Sequence, residues 1–239
     1  MNCLRSLGFI KKIDGKYKNF GLKTIIIHPP EWKFEKNRNN IQSASKKYKI
    51  SIPIRMDKDY RIIKKFGINF WPSQILIKGN KIIYRHIGEG NYKGLENSIR
   101  KNLDIKSKKV FASEPKYTRF PAVYCGKRKK GRILKLTKKL KFGFVYSDGK
   151  WVQKDEYLQS MEGNSSLALL TKGKIINFVA KSINNKEIKI KVMANNKIIK
   201  RILVNKPQLY QIISLKNRNQ QKLGLMAEKN LAVYSFSFQ

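Results

Sequence analysis

Residues 70–92 read FWPSQILIKGNKIIYRHIGEGNY, and the fold of the N-terminal half is most clearly indicated here. It holds two apolar runs, Ser73 to Ile77 and Lys81 to His86. Gly79-Asn80 joins them, and such a pair between two apolar runs favours a tight hairpin turn. Trp71-Pro72 stands directly before the first run. The stretch therefore predicts an antiparallel hairpin that is introduced by a proline.

Helical and strand patterns alternate around this hairpin. Ile25-Ile26-Ile27 is a continuously apolar β-branched run, typical of a strand buried on both faces. Ile52 to Met56 predicts a second strand. Helices are predicted from apolar spacing and from their end signals at Leu4 to Ile13, Asn37 to Tyr48, Asp59 to Phe66 and Tyr92 to Leu103. The first part of the chain is thus an α/β domain.

The second half of the chain has a different pattern. Residues 104–121 are polar and irregular, as in a linker between domains. Short alternating segments then recur at the roughly 8–12-residue spacing of all-β sandwiches. In the last segment three aromatic side chains alternate with serines and are expected to share one face, namely Tyr234, Phe236 and Phe238. We predict an α/β domain over 1–103, a linker over 104–121 and a jelly-roll-like β-sandwich over 122–239.

The charge of the chain is strongly positive. Its 239 residues include 53 Lys and Arg against 15 Asp and Glu, a formal net charge of +38. Such an excess is typical of proteins that bind polyanions, because Lys and Arg release counterions from phosphates. A general bias toward Lys, Asn and Ile has the same effect. The even spread of charge favours this second explanation.

Several kinds of site and segment are not predicted. No apolar run reaches the ~18–20 residues of a membrane helix, so we expect no membrane span in this chain. Cys3 and Cys125 lie far apart and form no disulfide framework. Only two histidines accompany them, without metal-ligand spacing. We expect neither a metal site nor a cofactor.

Short motifs carry a resemblance to a known family, and they are Asn2-Cys3-Leu4-Arg5, Ile27-His28-Pro29-Pro30-Glu31-Trp32, Phe70-Trp71-Pro72-Ser73 and His86-Ile87-Gly88-Glu89-Gly90-Asn91-Tyr92. The first half resembles the redoxin-type, TlpA-like thioredoxin domain of the DipZ family. In that fold an active-site Cys-x-x-Cys opens the first helix, and a cis proline precedes a central strand. More loosely, the second half is similar to that family's C-terminal β-sandwich, which resembles carbohydrate-binding modules.

The resemblance implies thiol–disulfide exchange, with protein thiols and disulfides as partners. A thiolate at the start of the first helix attacks a substrate disulfide, and a second cysteine three residues later resolves the mixed disulfide. Cys3 corresponds to this second cysteine, and the first would stand just before Met1. Pro72 and Trp71 correspond to the loop whose backbone pairs with an extended substrate. Cys3, Trp71 and Pro72 are therefore the candidate catalytic residues.

The same resemblance predicts that the domain lacks the strand before its active-site helix. In the thioredoxin fold that strand lies between the two supplied here by Ile25 to Ile27 and Ser73 to Ile77. Each N–H or C=O group left unpaired and buried there costs roughly 1–3 kcal/mol. We expect the protein to be incomplete at its N-terminus, through a start codon assigned too late or a split gene. A strand donated in trans is the third explanation.

Other residues have two interpretations each. Trp151 and Tyr157 are candidate sugar-binding side chains, although aromatics in sandwiches more often belong to the core. Residues 127–141 are a candidate surface for nucleic acid or an anionic membrane. We favour a solvated basic loop, because aromatics for base stacking are not interleaved with the charges. His28 and Glu31 either tune the protonation of the thiol or cap the following helix, and we favour the structural role. We expect Cys125 to be a small apolar residue.

Two functions follow from the sequence. The first is a thiol–disulfide oxidoreductase of the thioredoxin superfamily, impaired as long as the nucleophilic cysteine is missing. The alternative is a non-catalytic binding module with a decayed redox site, which binds a partner, glycan or polyanion. The resemblance implies an extracytoplasmic, membrane-tethered setting through upstream segments. Without such segments a cytoplasmic location is expected.

Overall fold

A computed structural model describes residues 2–106, 121–214 and 220–238. These residues form sixteen β-strands and four α-helices, so the described chain is mostly β with few helices. It divides into two compact units, unit 1 over residues 1–116 and unit 2 over residues 117–239. Most of the predicted linker, residues 104–121, lies outside the described residues.

All four described α-helices belong to unit 1: α1 (Asn2–Tyr17), α2 (Arg38–Lys47), α3 (Arg61–Lys65) and α4 (Tyr92–Asn102). Side-chain caps mark where two of them begin. The side chain of Asn37 accepts the N–H of Asn39 at 2.8 Å before α2. Both carboxylate oxygens of Asp57 accept N–H groups of α3, from Ile62 at 3.1 Å and Ile63 at 3.0 Å. Such caps satisfy N–H groups that have no partner within the helix.

The strands of unit 1 form two separate two-stranded sheets. In the first, β1 (Ile26–His28) runs parallel to β2 (Ile54–Met56). In the second, β3 (Ser73–Lys78) and β4 (Lys81–Ile87) form the predicted hairpin. The prediction that the first apolar run is buried on both faces is wrong, because β1 is only partly buried and Ile25 is 58% exposed. β1 has a single strand neighbour among the described residues.

Helices α1 and α4 share the core of unit 1. The rings of Phe9 and Tyr92 are stacked, with centroids 4.0 Å apart. The hydroxyl of Tyr17 donates a 2.6 Å hydrogen bond to Glu96, and both residues are buried. A buried carboxylate is costly unless it is hydrogen-bonded, so this contact fixes one helix against the other.

The remaining strands belong to unit 2, and they are β5 (Val123–Tyr124), β6 (Ile133–Lys135), β7 (Val145–Asp148), β8 (Trp151–Gln153), β9 (Leu158–Ser160), β10 (Ser165–Lys172), β11 (Ile175–Ser182), β12 (Ile188–Ala194), β13 (Lys197–Val204), β14 (Gln208–Ser214), β15 (Gln220–Ala227) and β16 (Leu231–Phe238). They form two six-stranded sheets. The first has the order β13-β12-β15-β10-β7-β6. The second has the order β14-β11-β16-β9-β8, with β5 paired to β16. Except for the parallel pair β6–β7, these pairs are antiparallel.

Buried side chains from both six-stranded sheets form one hydrophobic cluster. Phe178 on β11 lies at its centre, with the Phe236 ring stacked 6.1 Å away and the Tyr210 ring 5.7 Å away. The prediction that Tyr234 shares a face with Phe236 and Phe238 is wrong, since Tyr234 is buried outside this cluster. The register between β11 and β16 shifts beside Tyr234, and a β-bulge of this kind turns a side chain away from the alternating pattern.

Candidate functional site

Cys3 lies in the first turn of α1, and the residue is exposed. Desolvation of the sulfur by the surrounding protein raises the pKa of the thiol to about 11, with smaller contributions from the negative charges of Glu31 and Glu35. At neutral pH the group is therefore a protonated thiol. The thiolate is the nucleophile in disulfide exchange, so Cys3 is not activated in this state.

Glu35 closes the turn that follows β1. Its Oε2 accepts the backbone N–H of Glu31 at 2.6 Å and of Trp32 at 3.4 Å. Desolvation raises the pKa of this carboxyl to about 7, against the opposing effect of these hydrogen bonds. Glu35 thus supplies a cap in the turn where Glu31 was expected to do so. The sequence analysis missed it, although an acidic residue three positions after Trp32 has the spacing of a capping box.

His28 ends β1 and carries a partly buried imidazole. Desolvation lowers its pKa, because burial disfavours the charged form. Among the described residues its Nε2 atom has no hydrogen-bond partner. The side chain is therefore neutral at neutral pH.

The Trp71-Pro72 peptide bond is cis, and Pro72 stands directly before β3. The carbonyl oxygen of Pro72 accepts the N–H of Gly88 at 2.8 Å. The hydroxyl of Ser73 donates to the carbonyl oxygen of Phe70 at 2.6 Å, and the ring of Phe70 is 71% exposed. One backbone contact and one hydroxyl contact therefore define the shape of this loop, while the Phe70 ring faces solvent.

An ion pair ties α1 to the segment after β4. Arg5, two residues after Cys3, donates from Nε and Nη2 to the two carboxylate oxygens of Glu89, both at 2.6 Å. The backbone N–H of Gly88, the residue before Glu89, donates to the carbonyl oxygen of Pro72. Both residues of the pair stand in motifs that carried the resemblance, but 84 positions separate them and no local spacing revealed the contact.

Trp151 and Tyr157, the candidate sugar-binding pair, lie at the two ends of the β8–β9 hairpin. Trp151 packs against the core of unit 2 and donates its indole N–H to the carbonyl oxygen of Asp148 at 3.0 Å. The ring of Tyr157 lies 5.2 Å from that of Tyr234 and 6.0 Å from the ammonium of Lys181. The structure does not bring the two rings together into one platform. Glycan contact by either residue stays a prediction.

The basic segment of residues 127–141 is exposed at every Lys and Arg. Arg128 forms an ion pair with Glu156 at 2.9 Å. Two cations of the basic segment lie over aromatic rings just outside it. Lys129 lies over Tyr124, and Arg132 lies over Phe144. These rings are therefore contacted by the segment's own charges, and they add no interleaved stacking surface to it.

Cys125 is fully buried in the core of unit 2, and desolvation raises the pKa of its thiol. It serves there as a small apolar residue. Over the described ranges no group of three or more His, Cys, Asp and Glu side chains could hold a metal ion. None of the described helices is long and apolar enough to cross a membrane.

Comparison with known proteins finds one matching family and several similar proteins. Residues 126–238 match the family described as "Thioredoxin like C-terminal domain". Protein DipZ of Mycobacterium bovis is 32% identical over 123 residues, which are 51% of this chain and 18% of DipZ. SUPPRESSOR OF QUENCHING 1 of Arabidopsis thaliana is 31% identical over 50% of this chain and 12% of its own length. The thiol-disulfide oxidoreductase ResA of Bacillus cereus is 25% identical over 41% of this chain and 55% of its own.

The matched region is thus less than a fifth of DipZ and just over half of ResA. Solved structures that resemble this chain are distant. The carbohydrate-binding module CBM36 in complex with calcium and xylotriose matches 50% of this chain and 100% of its own length, with a TM-score of 0.33 and 10% identity.

Proposed function

We propose that this protein is a thiol–disulfide oxidoreductase of the thioredoxin superfamily, with Cys3 as its resolving cysteine. Protein thiols and disulfides are its substrates. The nucleophilic cysteine of the proposed Cys-x-x-Cys stands three residues before Cys3 and therefore precedes Met1. Residues 1–103 form the thioredoxin-like domain, residues 104–121 the linker and residues 122–239 a jelly-roll-like sandwich.

The position and protonation of Cys3 carry this proposal. A resolving cysteine stays a thiol until the mixed disulfide has formed, because an early thiolate would attack other disulfides. Cys3 has the required properties, since it is exposed in the first turn of a helix and its pKa is raised to about 11. The similarity to ResA, which is named as a thiol-disulfide oxidoreductase, supports the same chemistry.

The division of unit 1 into two small sheets supports the proposed upstream strand. β1–β2 and β3–β4 share no ladder among the described residues, and β1 and β3 each have one strand neighbour. The proposed strand, which leads into the nucleophilic cysteine, pairs with both and joins them into one sheet. If the polypeptide has upstream segments, as the resemblance implies, the proposal places the domain outside the cytoplasm and tethers it to a membrane; otherwise it places the domain in the cytoplasm.

Unit 2 supports a second candidate function, in which the chain is a non-catalytic binding module for a polyanion or glycan. The observation that favours it is the exposure of all nine cations in residues 127–141. A binding curve on heparin at increasing salt tests it, because counterion release makes log affinity fall steeply with log salt. A salt-independent response excludes this candidate.

Reduction of insulin disulfides tests the oxidoreductase proposal. Two proteins are compared, this chain and a version extended upstream through the proposed strand and cysteine. We expect turnover and a cooperative circular-dichroism melt of unit 1 in the extended protein. Replacing Cys3 with Ser in the extended protein should leave the melt intact and trap a mixed disulfide with the substrate.

The proposal is wrong if the extended protein is inactive although both units melt cooperatively. Cys125→Ser in the extended protein is the matched control, because Cys125 is buried in unit 2. That variant should turn over insulin as fast as the unmodified extended protein.

A further inference from the structure

Residues 87–92 connect the two halves of the proposed redox site, and we call them the bridging segment. On one side it contacts α1. Arg5 holds Glu89 through two charge-assisted hydrogen bonds of 2.6 Å, and the hydroxyls of Ser6 and Tyr92 share a hydrogen bond of 3.0 Å. Both α1 residues lie within one turn of Cys3.

On its other side the bridging segment contacts the loop of Trp71 and Pro72. The Gly88 N–H donates to the Pro72 carbonyl oxygen at 2.8 Å, and Ile87 pairs with Ser73 in the β3–β4 ladder. Glu89 is therefore bound to α1 through its side chain, while the preceding residue is bound to the Pro72 loop through its backbone. The contact with α1 and the contact with the Pro72 loop are thus made by adjacent residues of the chain.

The local backbone fixes the direction of the Glu89 side chain. Gly88 and Gly90, on either side of it, both have φ of 102°, a conformation that residues with a Cβ rarely adopt. The Arg5 and Glu89 side chains are 21% and 8% exposed, so the pair is partly shielded from water. Bidentate pairs of Arg with a carboxylate impose geometry as well as energy. The segment is thus built to hold one charged group against α1.

We propose that Arg5 and Glu89 are a positioning pair that sets the distance between the Cys3 thiol and the Trp71-Pro72 loop. This inference rests on the proposed function, in which an extended substrate lies along the backbone of Trp71. The pair controls the reaction of Cys3 with disulfides in a peptide, which contact both elements. It does not control the reaction with a small disulfide, which contacts the thiol alone.

The step concerned is a single thiol–disulfide exchange. In the proposed reaction Cys3 attacks the mixed disulfide, and in the test below a disulfide probe takes the place of that mixed disulfide. Cys3 loses its proton to solvent, and the small thiolate fraction attacks one sulfur of the disulfide. A bond forms between the Cys3 sulfur and that sulfur, the substrate S–S bond breaks, and the other sulfur leaves as the reduced thiol or thiolate. No further oxidant or reductant is needed.

Two neutral probes with the same leaving group compare the reaction of Cys3 with a peptide disulfide and with a small disulfide. One is dithiodipyridine, and the other is a linear peptide whose single cysteine carries a thiopyridyl group. Release of thiopyridone from the full chain gives a second-order rate constant for each probe. We expect the unaltered chain to prefer the peptide probe. Glu89→Gln should lower the peptide rate about tenfold, because misplacement by an ångström or less carries penalties of this size, and leave the small-probe rate within about twofold.

Further variants distinguish positioning from folding. Arg5→Lys keeps the charge but loses the planar fork, and its peptide rate should fall between those of the unaltered chain and Glu89→Gln. The exchanged pair Arg5→Glu with Glu89→Arg should recover part of the peptide rate. Glu156→Gln breaks an ion pair in unit 2 whose carboxylate is equally buried, at 8% exposure, and should change neither rate.

The outcomes separate the two proposals. If the unaltered chain shows no preference for the peptide probe, the substrate assigned in the proposed function is wrong. If it shows the preference and Glu89→Gln retains it, the positioning pair is wrong. Equal losses for both probes, with no recovery in the exchanged pair, mean that the ion pair only stabilises the fold and also overturn the inference.

Discussion

Unit 1 and unit 2 differ in how completely their strands are paired. In unit 2 the interior strands have neighbours on both sides, and the two sheets bury one continuous core. In unit 1 each described strand pairs with one other. The difference does not extend to exposed apolar side chains, since Ile77 and Ile82 in unit 1 are each 47% exposed and Ile198 in unit 2 is 50% exposed.

Helix packing joins parts of unit 1 that its two small sheets leave unconnected. The long-range contacts of unit 1 include those between α1 and α4, through Phe9 on Tyr92 and Tyr17 on Glu96. These contacts fix α1, which carries Cys3, while β1 and β3 each keep one edge without a strand neighbour among the described residues. Unit 2 depends instead on apolar burial between two complete sheets. The two units should therefore respond differently to the same kind of substitution.

The largest effect is expected in the core of unit 2. Phe178→Ala removes a fully buried ring that contacts Phe236 and Tyr210, and it should cost about 3–5 kcal/mol of unfolding free energy. Phe70→Ala in unit 1 is the matched control, because that ring is 71% exposed, and it should cost less than about 0.5 kcal/mol. Urea unfolding followed by far-UV circular dichroism measures both. Similar losses in the two variants would contradict the contrast between the units.

A change of pH should have a smaller effect on the free energy of unfolding, and this effect is expected in unit 1. The pKa of Glu35 is about 7 in the folded protein against 4.5 for the free group. Between these values the folded state binds more protons than the unfolded state, so stability must fall as pH rises from 4.5 through 7. The loss reaches at most about 3 kcal/mol and is reduced by residual solvent exposure.

Hydrogen exchange resolved by peptide measures this pH effect in each unit. Protection in α1 and α4 should weaken over the window, while protection in β11 and β16 should change less. Glu35→Gln keeps the size of the side chain and removes the titrating group. The slope in unit 1 should then flatten, and an unchanged slope would assign the pH dependence to another group.

Most longer elements could be predicted from the sequence, because their periodicity is local. The last segment, with its alternating aromatics and serines, forms a strand over Leu231–Phe238, and the hairpin of residues 73–87 follows from Gly79-Asn80. β5, β6, β8 and β9 were missed, since strands of two or three residues show no periodicity and exist through tertiary pairing. The position of Tyr234 depends on a bulge, which no single strand pattern reveals.

The candidate site was predicted in part for the same reason. Cys3 and Pro72 stand in recognisable motifs, and the structure places them at a helix start and before a strand. Arg5 and Glu89 stand in those motifs too, but their contact joins residues 84 positions apart and arises only when α1 lies beside the end of β4. The pKa of Glu35 depends on burial by the folded chain. The sequence alone identifies the candidate residues, but it does not predict the contacts and distances between them.

The smallest effect is expected at a cross-strand pair of isoleucines in unit 1. Ile77 on β3 faces Ile82 on β4, and each is 47% exposed. The corresponding pair in unit 2 is Ile190 on β12 and Ile202 on β13, at 0% and 8% exposure. Thr keeps the β-branch in all cases, so strand propensity is nearly constant and burial alone differs.

Ile190→Thr should therefore cost about 2–3 kcal/mol, because it leaves a void and buries a hydroxyl. Ile77→Thr should cost less than about 1 kcal/mol, the usual range for an exposed cross-strand contact. Urea unfolding of the two variants measures the difference. In the extended protein the proposed strand covers the open edge of β3, and the cost of Ile77→Thr should then rise toward that of Ile190→Thr. If Ile77→Thr still costs less than about 1 kcal/mol of unfolding free energy in the extended protein, the added strand does not pair with β3. The edge of β3 would then remain unpaired in the extended protein.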